Sequence, residues 1–409
     1  MEQAKKEKSI PRHAWIVVFI GLLAVIGSHG FGRMAYSIIL PQMTEGLGLN
    51  WTQAGLLGTA NFVGYLLFAL AGGYLASRYG TRRVILFSLL ITALSLALTG
   101  TSSTFQTALV MRFITGMGSS GVYMPAMSLG SLWFASKRRG LATGISGCGP
   151  GVGIFLTGVI VPPIVNTRGW ATAWYTMGIL VLIITCLCFI FLRDRPQESP
   201  APPSSEENTV SSVPPEPRSL YRRKEIWHLG LVYSMYGLSH VIYSTFFYTF
   251  LNTEVGLSGA KTGAMWALAG SLSIISAAMW GIISDMLGRK WGLGLVYTFL
   301  AISYSLFFFC HSLTGYYISA IFFGLGLGSV PSIIAASVGD RVEPRLIPTA
   351  MGFVTLFFGV GQALGPAIGG YLADFSGSFR VAFAIAAFFS LVGTATSFLL
   401  IKPVLAEAE

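Results

Sequence analysis

A membrane bundle of twelve α-helices is the fold class this sequence predicts, and three observations carry it. Of 409 residues, 53% are hydrophobic and only 10% charged, against about 25% charged in ordinary soluble domains. Apolar stretches of about 20 residues, long enough to cross a ~30 Å hydrocarbon core as a helix, recur along the whole chain. A segment rich in Pro, Ser and Glu interrupts the series once, near the middle. Backbone in contact with lipid has to satisfy its own hydrogen bonds, so every span is expected to be helical.

The spans are expected near 14–42, 51–77, 84–103, 105–134, 141–165 and 170–192, then 226–252, 259–286, 290–311, 314–339, 346–373 and 379–402. The first of them is too long for a cleavable leader and no small-residue cleavage site follows it, so it is expected to remain as an anchor. Between the sixth and seventh spans, Pro196, Pro200, Pro202, Pro203, Pro214, Pro215 and Pro217 alternate with Ser and Glu, a composition that cannot bury a core. The expected organisation is an arm (1–13), a six-helix bundle (14–193), a linker (194–225), a second six-helix bundle (226–402) and a tail (403–409).

The formal net charge of +10 raises nucleic acid as a partner, but the basic residues are placed as topology signals. Lys5, Lys6, Lys8 and Arg12 precede the first span. Arg78, Arg82, Arg83, Lys137, Arg138 and Arg139 lie in the next two loops of the same side, and Arg289, Lys290, Arg341, Arg345 and Lys402 follow in the second half. The opposite loops hold only Arg168, Lys261 and Arg380. This bias puts both termini in the cytoplasm, adds attraction to anionic lipid, and leaves no reason to invoke nucleic acid. Cys148, Cys186, Cys188 and Cys310 fall in or at the ends of spans and read as packing residues, neither disulfide-bonded nor metal-binding. No phosphate-binding loop, HExxH pattern or dinucleotide fingerprint appears, so neither an enzyme nor a cofactor is expected.

The two halves repeat. Gly48, Gly55, Gly73, Gly80, Gly116 and Gly118 recur as Gly256, Gly263, Gly281, Gly288, Gly324 and Gly326, each at an offset of 208. Gly149-Pro150 and Gly153 recur as Gly365-Pro366 and Gly369 at an offset of 216, which implies an insertion within the second copy. A duplicated six-helix unit is the plan of alternating-access carriers, whose site lies near the midplane between the halves.

Two motifs carry a family resemblance. The run from Gly73 through Arg78 and Gly80 to Arg82 and Arg83 resembles the loop between the second and third helices of the major facilitator superfamily. Its second copy, with Asp285, Gly288 and Arg289, keeps the acid that Ser77 replaces in the first. Arg112-Phe-Ile-Thr-Gly116-Met-Gly118 is similar to the superfamily's fourth-helix motif, and there Arg112 reads as a structural residue. Tyr123-Met-Pro125, Leu132-Trp133-Phe134, the run 137–144 and Gly169-Trp170 resemble the monocarboxylate and oxalate–formate branch, and the first helix resembles bacterial organic-anion transporters. The resemblance implies a secondary transporter with a small organic anion, a monocarboxylate, as substrate. It departs from those branches on the eighth helix, where Lys261 is the only cation, and on the eleventh, where 357–362 carries no lysine.

The residues themselves support an anion. His29-Gly-Phe-Gly-Arg33-Met-Ala-Tyr36 places a guanidinium inside an apolar span, an arrangement that is costly and usually functional. All 16 Asp and Glu lie in tails, linker, loops or helix ends, so no carboxylate is available at mid-depth to pair with Arg33. The planar guanidinium can hold a substrate carboxylate through two parallel hydrogen bonds. In a regular α-helix His29, Arg33 and Tyr36 share one face, and on the seventh helix Tyr236, His240, Tyr243 and Ser244 form another. Candidate substrate contacts are therefore Arg33, His29, Tyr36, His240, Tyr243, Tyr123, Asn61 and Gln362, with Tyr65 and Trp266 beside them. His240 and His29 are the candidate proton carriers. Protons or a counter-anion are the expected coupling partners, and the expected setting is a monomer in a bacterial inner membrane. The competing reading is an exporter of neutral or amphipathic compounds, favoured by the Gly-Pro feature of the fifth helix.

Overall fold

The computed structural model describes residues 12–134, 136–194 and 220–400. The arm before residue 12, most of the linker (195–219) and the tail from residue 401 lie outside the described residues. Helix α1 is composite: Arg12–Val25 is α-helical, Ile26–Met34 winds as a π-helix, and Ala35–Gly46 resumes the α form. Helix α2 (Trp51–Tyr79) opens on a capping box between Asn50 and Gln53, and α4 (Phe105–Trp133) on one between Thr104 and Thr107, with α3 (Thr81–Gly100) between them. The long helix Gly149–Phe191 doubles back at Gly169 (φ 80°), separating α5 (136–168, entered through Ser136–Gly147) from α6 (170–191).

The second half follows with α7 (Lys224–Thr249, ending in a π turn at Phe250–Glu254), α8 (Gly259–Leu287) and α9 (Arg289–Phe309). Helix α10 runs as Leu313–Leu327 and Ser329–Gly339, and is followed by α11 (Ile347–Ser376) and α12 (Phe379–Phe398). Among the described residues the helices make twelve spans and no strand is present.

The repeat in the sequence is a repeat in the backbone. The glycines with positive φ among the described residues fall into three pairs at the 208 offset: Gly48 (60°) with Gly256 (75°), Gly80 (91°) with Gly288 (90°), and Gly169 (80°) with Gly377 (72°). A side chain is strained in that region of φ, so glycine is what lets each turn reverse. Other pairs set helix crossings. A Cβ on Gly116 would run into the Asn61 carbonyl, and one on Gly324 into that of Ala269, so the same glycine presses α4 onto α2 and α10 onto α8. Small residues allow such approaches where lipid gives no hydrophobic drive between helices.

The six N-terminal helices pack on one another, as do the six C-terminal ones, and three helix pairs join the two groups: α2 with α11, α5 with α8, and α1 with α7. At the end of the molecule carrying the Gly48, Gly169, Gly256 and Gly377 turns, Asp374 accepts hydrogen bonds from the Trp51 and Thr52 amides (3.0 and 2.7 Å) and from the Thr52 hydroxyl (2.6 Å). Further along, Gly55 rests on Pro366, the Thr59 hydroxyl donates to the Ala363 carbonyl (2.6 Å), and Gly359 meets Leu66. The α5–α8 seam is the symmetric equivalent, running from Asn166 beside Gly259 through Gly158 against Gly263 to Gly151 beside Gly270. The two bundles are thus closed on each other from that end to mid-depth.

At the opposite end lie the motif loops. Asp194 accepts from the Arg82 amide (2.6 Å) while the Arg82 guanidinium donates to the Phe189 carbonyl (2.6 Å), and Arg78 donates to the Tyr74 hydroxyl (3.2 Å). Arg289 pairs with Asp285 and, at 2.8 Å, with Asp340. Partial burial draws the Arg289 pKa down, but the hydrogen bonds and charges of Asp340 and Asp285 outweigh that and raise it. Large apolar side chains such as Leu67, Phe87, Phe189, Phe309 and Phe388 are more than half exposed around the circumference, a surface suited to acyl chains rather than water.

Candidate functional site

The π-helical stretch of α1 decides where the functional side chains point. Winding with i→i+5 bonds takes the carbonyls out of α register, and neighbouring side chains collect them: Ser119 of α4 donates to the Ser28 carbonyl (3.1 Å), and the Arg112 guanidinium donates to that of Gly32 (3.0 Å). Gly30 lies directly against Gly153 of α5, where either Cβ would collide with the other backbone. Glycines at 30 and 32 therefore bring α4 and α5 close to the wound segment.

Arg33 is 9% exposed and Arg112 1%. The Arg33 guanidinium lies over Phe62 (4.3 Å) and Tyr65 (4.5 Å) of α2, and its Nε and Nη2 are buried without a hydrogen-bond partner. The Arg112 guanidinium lies over Tyr36 (4.5 Å) and Trp174 (5.1 Å), and its Nε too is buried and unpartnered. Both line one cavity of ≈ 20 Å³, together with Met34, Tyr36, Ser37, Gly58, Asn61, Phe62, Ser244 and Thr245. That is room for about one water molecule. The ion pairs of Arg289 with Asp285 and Asp340 lie at the far end from this cavity.

The expected common face of His29, Arg33 and Tyr36 is redistributed by the π winding. Tyr36 does line the cavity, but its hydroxyl donates to the Ala54 carbonyl (2.6 Å) and its ring serves Arg112. His29 turns to a different set, with Nδ1 3.0 Å from the Ser28 hydroxyl and its ring against Tyr65 (5.6 Å) and Tyr123 (4.9 Å). Tyr65 thus touches both His29 and Arg33. Asn61 donates to the Arg112 carbonyl (3.1 Å) and keeps its Oδ1 unpartnered at the cavity wall.

Across from α1, the His240 ring stacks on Tyr236 (4.4 Å) with Phe358 beside both (5.8 Å from each), and its Nδ1 is 2.8 Å from the Tyr236 carbonyl. A carbonyl can only accept, so Nδ1 carries the proton and Nε2 is the nitrogen left for exchange. Ser244, one helical turn on, reaches the Arg33 cavity. Tyr243 is not part of this lining. Its hydroxyl bonds Ser319 (2.6 Å) and its ring packs among Tyr304, Phe307 and Phe323 inside the C-terminal bundle. Gln362 is buried on α11, beside Gly237 of α7, and Trp266 packs against Phe247 away from the cavity.

Sequence reasoning gave Arg112 a structural role and did not single out Phe62, Ser37 or Thr245. Arg112 does brace α1, yet its guanidinium is also a cavity wall. The signal for it was present, since Arg112 is a second cation within a span and α1, α2 and α4 contain no acid apart from Glu45.

Comparison with known proteins agrees with this architecture. The chain is 23% identical over 407 residues to the hexuronate transporter of Bacillus subtilis (strain 168), covering 96% of this chain and 95% of that one. It is 26% identical over 395 residues to the probable sulfoacetate transporter SauU of Cupriavidus necator, covering 91% and 90%. Its fold is similar to that of a bacterial homologue of the human lysosomal transporter Spinster, solved in an inward-facing and unoccupied conformation, with a TM-score of 0.79, 16% identity and coverage of 96% and 97%. Residues 25–397 match the family described as the uncharacterised MFS-type transporter YbfB. This multi-pass membrane protein therefore belongs to that family of major facilitator superfamily transporters, and it is a carrier rather than an enzyme.

Proposed function

We propose that the protein is a secondary active transporter of a small organic anion, with Arg33 as the group that holds the substrate's carboxylate. The observation that carries this reading is the buried Arg33 guanidinium, with Nε and Nη2 unpartnered in a cavity lined by no acidic side chain. Leaving buried charged donors unpaired is expensive, and an anion arriving between the bundles supplies what they lack. The similarity to carriers named for hexuronate and sulfoacetate, both anionic, supports the same class. Chemically the site needs a carboxylate for Arg33, a short body fitting against Phe62 and Tyr65, and groups that hydrogen-bond Ser244, Thr245 and Asn61.

Movement follows from the seams. With the basic loops on the cytoplasmic side of a bacterial inner membrane, the seams of α2 with α11 and α5 with α8 close the outward path, and the site itself is contracted to a small buried cavity. Rocking the bundles exchanges one closure for the other around the substrate. Coupling to protons through His240 or His29, or to a counter-anion, completes the cycle. Reconstituted in liposomes, Arg33→Ala is expected to lower organic-anion uptake at least tenfold while protein folding, judged by its melting temperature, is kept; uptake unchanged in that variant would refute the reading.

A further inference from the structure

We infer that the site takes an organic dianion, with one acidic group on Arg33 and the second on Arg112; this rests on the proposed anion site and specifies its substrate class. Both guanidiniums face one cavity, so whatever fills it meets two fixed positive charges. Every element around it lacks a compensating carboxylate at cavity depth: α2 and α4 contain no Asp or Glu, α1 has only Glu45 at its end, and α7 has Glu225 in its first turn and Glu254 in its closing π turn, where Glu254 is taken up by Ser378 and the Phe379 amide. A monoanion would leave one buried cation uncompensated, and a dianion neutralises both.

The two cations are braced by different partners. Arg33 lies against Phe62 and Tyr65, whereas Arg112 lies over Tyr36 and Trp174 and is tied by one nitrogen to the Gly32 carbonyl. Aromatic faces attract a cation without neutralising it, so each guanidinium keeps its charge on its own wall. Separate walls disfavour collapse of both arginines onto one carboxylate and define two subsites. Donors and acceptors remain between them: Arg112 Nε, the Ser37 hydroxyl and Asn61 Oδ1 are buried without partners. These suit the second acidic group and any hydroxyl on the spacer.

The test compares pairs differing by one charge. Purified full-length protein is titrated with α,ω-dicarboxylates of two to six carbons and with their monomethyl esters, by thermal shift and by competition for uptake into proteoliposomes. The expected result is that at least one diacid binds tenfold or more tightly than its half-ester, and that Arg112→Gln removes the difference while Arg112→Lys retains part of it. Half-esters or simple monocarboxylates binding as well as every diacid, with binding still dependent on Arg33, would overturn the dianion and leave the anion transporter standing. Binding of no anion of either kind would overturn both. The wild-type comparison decides the question even if Arg112→Gln does not fold.

Discussion

His240 is held by its backbone bond with Nδ1 as donor, so its Nε2 can gain or lose a proton without breaking the contact to the Tyr236 carbonyl. If it carries the coupling proton, His240→Gln is expected to abolish the response of uptake to an inward pH gradient while leaving anion exchange at equal pH within about threefold. A gradient response that survives would remove His240 from that role. Arg33 was legible from sequence because a cation within an apolar span needs few further facts to look expensive. Its surroundings were less so. The aromatic faces of Phe62 and Tyr65 depend on how α2 crosses α1, and the separation of Tyr36 from His29 depends on a π segment, which α-helical spacing does not foresee. Tyr243 illustrates the same limit: a helix buried all round gives no polar face by which to tell cavity from bundle core.

Among elements, the repeated glycines had a clear sequence signature and the structure gives it a cause. Gly116 and Gly324 hold equivalent crossings, α4 on α2 and α10 on α8, each against a backbone carbonyl. Because the obstacle is backbone, Gly116→Ala and Gly324→Ala are each expected to destabilise by about 1–3 kcal/mol, the usual range for forcing extra volume into a packed interior, read as a lower melting temperature in detergent. The two should differ in function: Gly116→Ala displaces Asn61 from the cavity wall and should weaken substrate binding, whereas Gly324→Ala should leave it nearly unchanged. Equal loss of binding in both would count against a site built on the α2–α4 side. The 208 offset could be read directly, but the return to that offset at Gly169 and Gly377, after the 216 offset at Gly149 and Gly365, emerges only from the shared positive φ.

For the molecule as a whole, twelve spans, two copies and the basic side were all present in composition and spacing, because the bilayer imposes length and charge rules on every helix. Which end is closed was not, since it depends on contacts such as Asp374 with the amides of Trp51 and Thr52. The small cavity between Arg33 and Arg112 has a kinetic consequence. To change sides the carrier must pass through a state shut at both ends, and shutting an empty site traps two like charges in a nearly dry void, where their repulsion is strong. A loaded site has no such barrier. The unloaded return is therefore expected to be the slow half of the cycle, so preloading liposomes with unlabelled substrate should accelerate uptake of labelled substrate several-fold, whereas equal rates into empty and loaded vesicles would contradict it. The same repulsion that selects an anion would thus make the protein resistant to leak, turning over freely only when something is carried in each direction.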